Sequence, residues 1–244
     1  LPGKGTKILA PREGRVLYRV TENSAAGEMP FGGGNMLVLE HTSNEANTHW
    51  TGYMHLTSFS DAVLENKPIS TGDKLGITGD TGHSGGPHLH FFIFNPIERA
   101  MVNPLLLMND LYYEDTKPPT AKEWGVLLED KFATINPEKP FRLSADFPVY
   151  IFLQDHGKGG ERWGVFEYKV LLDGKEALKA TFDRTFFKDG EWKLSNGYKF
   201  EDIFYRNYYS LTAGVRRSKE VFVEAKDIKG NTFTKKYALQ IQQN

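Results

Sequence analysis

The 244-residue sequence contains no cysteine. That excludes disulfides, a thiol nucleophile and zinc held by thiolates, and it leaves imidazole and carboxylate as the strong metal ligands. Net charge is also nearly absent, with 30 Lys and Arg against 31 Asp and Glu. Such a chain has no field to gather nucleic acid or an anionic bilayer, so no nucleic-acid partner is expected. No apolar run approaches the roughly 20 residues needed to span a bilayer, and no transmembrane segment is expected. The sequence starts at Leu1 without Met and without a basic and apolar leader pattern. That start predicts either a removed leader or a fragment of a longer chain.

The residues present are those of a packed globular protein: 17 Phe, 11 Tyr and 4 Trp, with charges of both signs interspersed. The length favours two domains over one. Between them, NDLYYEDTKPPT (Asn109–Thr120) combines acidic residues with a Pro-Pro pair that cannot donate backbone hydrogen bonds. The expected organisation is a first domain over 1–112, a linker over 113–120 and a second domain over 121–244. Histidine divides the chain unevenly: His41, His49, His55, His83, His88 and His90 lie in the first half, and only His156 follows.

Both halves read as β. In the first, short alternating runs separated by glycine predict strands at Arg15–Val20, Met36–Glu40, Trp50–Leu56, Lys74–Thr78 and His88–Phe94. Ser58–Glu65 predicts one or two helical turns, and Ile69–Gly79 a hairpin turning at Gly72-Asp73. In the second, candidate strands are Val149–Leu153, Val165–Leu172, Glu220–Ala225 and Thr232–Ile241, with turns at Asp173-Gly174, Asp189-Gly190 and Asn196-Gly197. Regular spacing of short aromatic strands predicts an immunoglobulin-like sandwich. Trp163, Trp192, Tyr205, Tyr208 and Tyr209 would suit a carbohydrate platform, but filling a β core is the favoured reading.

The richest segment is GDTGHSGGPHLHFFIF (Gly79–Phe94). Strand alternation would put His88 and His90 on one face, about 6.6 Å apart along the chain at roughly 3.3 Å per residue. The glycines and Pro87 make a loop feeding that strand. YMHL (Tyr53–Leu56) offers a third imidazole, with Tyr53 and His55 expected on one strand face.

At these residues the chain resembles the zinc metallopeptidases of the lysostaphin and LytM type, which cleave peptide cross-links of bacterial peptidoglycan. The matching segments are GTKILAPREGRV (Gly5–Val16), GGGNMLVLEH (Gly32–His41), YMHL, ISTGDKLGITGDTGHSGGPHLHF (Ile69–Phe91) and VNPL (Val102–Leu105). The resemblance implies an all-β protein: an antiparallel barrel-sandwich peptidase domain, here followed by the immunoglobulin-like sandwich. It implies that His90 is a zinc ligand and that His55 and His88 act beside the metal as base and electrostatic catalyst. His41 is then expected to be a structural strand-end residue, and His49 and His83 loop residues. The implied substrate is peptidoglycan peptide, and the implied location is the periplasm or cell envelope after export.

Two departures accompany the resemblance. The family draws two more zinc ligands from a His-x-x-x-Asp motif upstream of the segment matching Gly5–Val16, and no such motif occurs in this chain. The remaining ligands are therefore expected upstream of Leu1 in the natural protein, and the 244-residue chain is expected to bind zinc weakly and to lack activity. The alternative is a non-catalytic relative that binds peptidoglycan or activates a cell-wall hydrolase. Retention of His55, His88 and His90 together favours the enzyme. The second departure is Phe92, where the family usually has Glu; with Phe94 on the face of the His pair, it is expected to narrow the cleft or alter the surroundings of the site.

Overall fold

A computed structural model describes residues 5–21, 32–42, 47–107, 115–128, 131–157, 162–205 and 207–242. The chain forms two compact units, Leu1–Pro104 and Leu105–Asn244. The stretch expected as a linker, 113–120, lies wholly in the second of these; its residues 113 and 114 are outside the described residues, and a strand already begins at Thr120.

In the first unit the strands are β1 (Lys7–Leu9), β2 (Arg15–Val20), β3 (Met36–Thr42), β4 (Thr48–Met54), β5 (Leu56–Phe59), β6 (Lys74–Thr78), β7 (His90–Asn95) and β8 (Ala100–Val102). A single helical turn, α1 (Asp61–Leu64), is capped by Ser60, whose hydroxyl accepts the Val63 N–H. Five strands run antiparallel in the order β8-β7-β4-β3-β2, and a smaller sheet runs β1-β6-β5. The two sheets share one core of Ile8, Ala10, Leu37, Leu39, Tyr53, Leu56, Val63, Ile69 and Leu75. Each large side chain buried this fully contributes about 1.5–3 kcal/mol over leaving it in water. β3 is apolar on both faces because Leu37 and Leu39 enter that core while Met36 and Val38 pack with Val20 on the opposite side of the sheet. The result is a sandwich of sheets, and among the described residues the strand path does not close into a barrel.

The expected hairpin over Ile69–Gly79 keeps its turn but not its pairing. Gly72 has φ +85 as the turn requires, yet Ile69 bridges to Gly14 and β6 pairs with β1 and β5. Local turn chemistry set the bend, and the shared core selected the partners.

The second unit is built from β9 (Thr120–Leu128), β10 (Lys131–Ile135), β11 (Phe141–Arg142), β12 (Val149–His156), β13 (Arg162–Trp163), β14 (Glu167–Leu172), β15 (Lys175–Thr181), β16 (Arg184–Lys188), β17 (Glu191–Leu194), β18 (Phe204–Tyr205), β19 (Tyr208–Ser210), β20 (Glu220–Lys226), β21 (Thr232–Ala238) and β22 (Ile241–Gln242). Its sheets run β10-β9-β12-β19-β18 and β15-β14-β20-β21. Taking β9, β12, β14, β15, β19, β20 and β21 as A, B, C, C′, E, F and G, one sheet holds A, B and E and the other C′, C, F and G, the immunoglobulin arrangement. Between them lies a core that includes Trp124, Ile151, Leu153, Tyr168, Val170, Val221 and Val223. Alternation is cleanest in β20, where Val221, Val223 and Ala225 are buried and Glu220, Phe222, Glu224 and Lys226 are not.

The five candidate platform aromatics do not form one surface. Tyr209 is core, Tyr208 packs on Phe132 with ring centroids 4.0 Å apart, and Trp192 pairs with Phe187 on the β16–β17 hairpin.

Candidate active site

The site forms where three segments of the first unit meet: the junction between β4 and β5, the loop 79–89 and the start of β7. The run expected as one strand over Trp50–Leu56 is broken at His55, which takes φ +62. A left-handed backbone costs a residue carrying a Cβ about 1–2 kcal/mol, so something must hold it. On one side the His55 N–H donates to Gly33 O at 2.8 Å; on the other the Leu56 N–H donates to Asn35 O at 3.1 Å. The break also overturns the expectation that Tyr53 and His55 share a strand face. Tyr53 enters the core, and the His55 ring lies 4.6 Å from that of His88 and 4.7 Å from that of His90.

His55 is 2% exposed, and its Nδ1 lies 2.8 Å from Thr81 O. A carbonyl only accepts, so Nδ1 carries the proton and the lone pair sits on Nε2. That Nε2 lies 3.1 Å from His90 Nδ1. His88 is not within β7 as expected; it precedes the strand and bridges to Gly79, and the alternation argument does not apply to it. Its Nδ1 donates to Gly86 O at 2.7 Å, again leaving Nε2 as the bare nitrogen. Ser84 donates to the same carbonyl at 2.8 Å. His88 and His90 therefore meet edge to face at a centroid separation of 4.6 Å rather than as neighbours on one strand face.

Ligand nitrogens of all three imidazoles lie within 4.8 Å of one another. Burial, and then the charges of His55 and His88, hold the His90 pKa below its ordinary value. A bare, neutral nitrogen is thereby favoured at the site. Two glycines bring its parts together: an added Cβ would meet Thr81 C at 2.4 Å from Gly34 and Gly34 N at 2.3 Å from Gly82. Both have positive φ, so backbone lies against backbone.

Phe92 does not narrow the site. Its ring lies flat on Gly52, where an added Cβ would come within 1.9 Å of it, and it packs against the cluster of Val20, Met36 and Val38. Phe94 pairs with Trp50 at 5.3 Å. Together with Met54, opposite His90 in the ladder, these rings give the sheet beside the imidazoles an apolar surface.

The other histidines are elsewhere. His41 is buried, with Nδ1 donating to Glu13 O at 2.8 Å and Nε2 accepting from Thr51 at 2.7 Å; Thr51 in turn meets the Tyr53 hydroxyl at 3.0 Å. His49, expected in a loop, stands in β4 directly opposite His41. His83 is an exposed loop residue, and His156 ends β12 in the second unit. Asn35, Thr81 and Ser84 went unremarked in the sequence; only the glycine-rich settings GGGN and GDTG marked their places. Asp115, Asp155 and Asp227 form another close group, in the second unit, and Asp227 accepts from the backbone N–H groups of Lys229 and Asn231.

Three imidazoles gathered on a β-sandwich without thiols, two of them with Nδ1 on a backbone carbonyl, form a group that could hold a metal ion. Residues 2–104 match the model of Peptidase family M23. A separate family model without a functional description spans 118–242. Among curated relatives, the peptidoglycan DD-endopeptidase ShyA of Vibrio cholerae is 38% identical over 58 residues, 24% of this chain and 12% of ShyA. The glycyl-glycine endopeptidase ALE-1 of Staphylococcus capitis is 33% identical over 87 residues, 36% of this chain and 21% of ALE-1. The matches thus span well under a third of those relatives. A solved structure of the catalytic domain of lysostaphin from Staphylococcus simulans is 28% identical, covering 38% of this chain and 62% of that domain, with a TM-score of 0.31. Residues 2–104, nearly the whole first unit, are thus similar to the lysostaphin/LytM-type peptidases of family M23.

Proposed function

We propose that the first unit is a zinc endopeptidase that hydrolyses peptide cross-links of bacterial peptidoglycan, in a protein exported to the periplasm or cell envelope. The observation that carries this reading is the convergence of His55, His88 and His90, two of them with Nδ1–H tied to a carbonyl and Nε2 left bare. An all-nitrogen imidazole set suits zinc, and His90 would hold it through Nδ1 once the proton that this atom shares with the bare His55 Nε2 is given up. Zinc held there supplies Lewis-acid polarisation of a carbonyl and an acidified water.

The chain's own residues supply the proton handling. In its neutral form the His55 imidazole accepts a proton at Nε2, and Thr81 O then stabilises the imidazolium through the Nδ1–H bond. His88 stands in the same relation to Gly86 O. Either ring, once protonated, donates from Nε2 to a developing oxyanion or a leaving amine. The surface of Phe92, Met54 and Trp50 limits water next to these groups and strengthens their electrostatics.

The test is digestion of purified peptidoglycan by the natural full-length protein, read as released muropeptides, against His90→Ala and against added chelator. Loss of cleavage in both supports the reading. Cleavage that survives both removes the metal mechanism, and no cleavage by the unaltered protein shifts the function to a regulator of a wall hydrolase.

A further inference from the structure

We infer that Asn35 and Thr81 are positioning residues for His55, acting as one clasp that fixes both its backbone and its ring; this rests on the reading of His55 as a proton carrier. Thr81 works from two atoms. Its carbonyl accepts the His55 Nδ1–H at 2.8 Å, and its hydroxyl donates to Leu56 O at 2.9 Å. The same hydroxyl accepts the Asn35 N–H at 3.0 Å. Asn35 completes the ring of contacts: its carbonyl accepts the Leu56 N–H at 3.1 Å and its Nδ2 donates to Leu56 O at 2.8 Å. Leu56, the residue that follows the left-handed His55, is thus held at its N–H by one bond and at its C=O by two.

The arrangement couples two demands. A neutral imidazole that must accept a proton at Nε2 needs the Nδ1–H tautomer, which Thr81 O enforces. The ring reaches Thr81 O only because the backbone at His55 is reversed, and the Thr81 hydroxyl with Asn35 holds that reversal. Asn35 is 8% exposed, and its bonds to the Thr81 hydroxyl and to Leu56 both lead to the backbone next to residue 55. Thr81→Val keeps size and branching and removes the hydroxyl alone. Without it the Asn35 N–H loses its acceptor and Leu56 O loses a donor, and the imidazole gains freedom to turn.

The experiment uses the natural full-length protein with 15N-labelled histidine, in unaltered form and as Thr81→Val, Thr81→Ser and Asn35→Ala. Two readouts are taken on samples shown by circular dichroism to be folded: muropeptide release, and the imidazole 15N shifts of His55 in metal-free protein, assigned with His55→Gln. Unaltered protein is expected to show a single Nδ1–H tautomer. Thr81→Val and Asn35→Ala should show mixed tautomers and a kcat lowered roughly 10- to 100-fold with KM within about two-fold, the cost of a misplaced catalytic group. Thr81→Ser should restore both. A Thr81→Val protein that keeps one Nδ1–H signal and a kcat within about two-fold of the unaltered protein overturns the inference, as does an Nε2–H tautomer in the unaltered protein. If no form releases muropeptides, the proposed function fails, and the 15N signature still decides whether the clasp exists.

Discussion

Replacing His55 by Gly and by Ala separates the strained backbone from the lost ring. Both variants remove the imidazole, its burial and its bond to Thr81 O, so those costs cancel in the comparison. Two opposed effects remain. Gly has more freedom than Ala in the unfolded chain, which favours Ala by about 0.4–1 kcal/mol. At φ +62, however, Ala keeps a Cβ that clashes with the backbone, at about 1–2 kcal/mol, and Gly does not. The second effect wins: His55→Gly should be more stable than His55→Ala by about 0.5–1 kcal/mol, the reverse of the order at an ordinary strand position. Denaturant unfolding followed by hydrogen exchange at β4 and β5 amides reads the first unit apart from the second. For a domain of this size the gap corresponds to a difference of a few degrees in Tm. An Ala variant as stable as the Gly variant, or more so, would mean that His55 is not held in the left-handed region.

Other expectations follow from the neighbouring structure. His41 is buried with both ring nitrogens bonded, and burial lowers its pKa from the usual 6.5. The unfolded chain then takes up a proton that the folded chain refuses. Stability contributed by neutral His41 is present above pH 6.5 and lost as pH falls towards the folded value, with a limiting slope of about 1.4 kcal/mol per pH unit. The acid arm of a stability–pH curve for the first unit should flatten in His41→Gln; an unchanged slope would place the effect elsewhere. Gly52→Ala should cost about 1–3 kcal/mol, because its Cβ would come within 1.9 Å of the Phe92 ring. Phe92→Ala in the same chain should recover part of that loss, and strictly additive free energies in the double-mutant cycle would refute the contact.

The strands legible in the sequence are those whose side chains alternate against one core. β20 shows this. The limits of β2 coincide with the expected Arg15–Val20, although its burial does not alternate and its register shifts between Val16 and Tyr18. β15 was missed because KEALKAT is made of helix-favouring residues; its pairing with β14 overrides that propensity. The three imidazoles were legible as residues, but their arrangement was not. Period-two reasoning presumes extended backbone, and His55 leaves it because of bonds from Gly33 and Asn35, about twenty residues upstream. Phe92 was read as an obstacle because Gly52 lies forty residues away, and only pairing of β4 with β7 sets one over the other.

Gly34 and Gly82 bring two loops so close that neither has room for a methyl group. For protein engineering this makes residues 32–35 and 79–89 a single exchangeable cassette. A loop carrying His88 that is grafted from a relative will seat properly only when the segment leading into β3 comes with it. In any collection of such domains the two stretches should therefore change together, while the sheet beneath them varies independently.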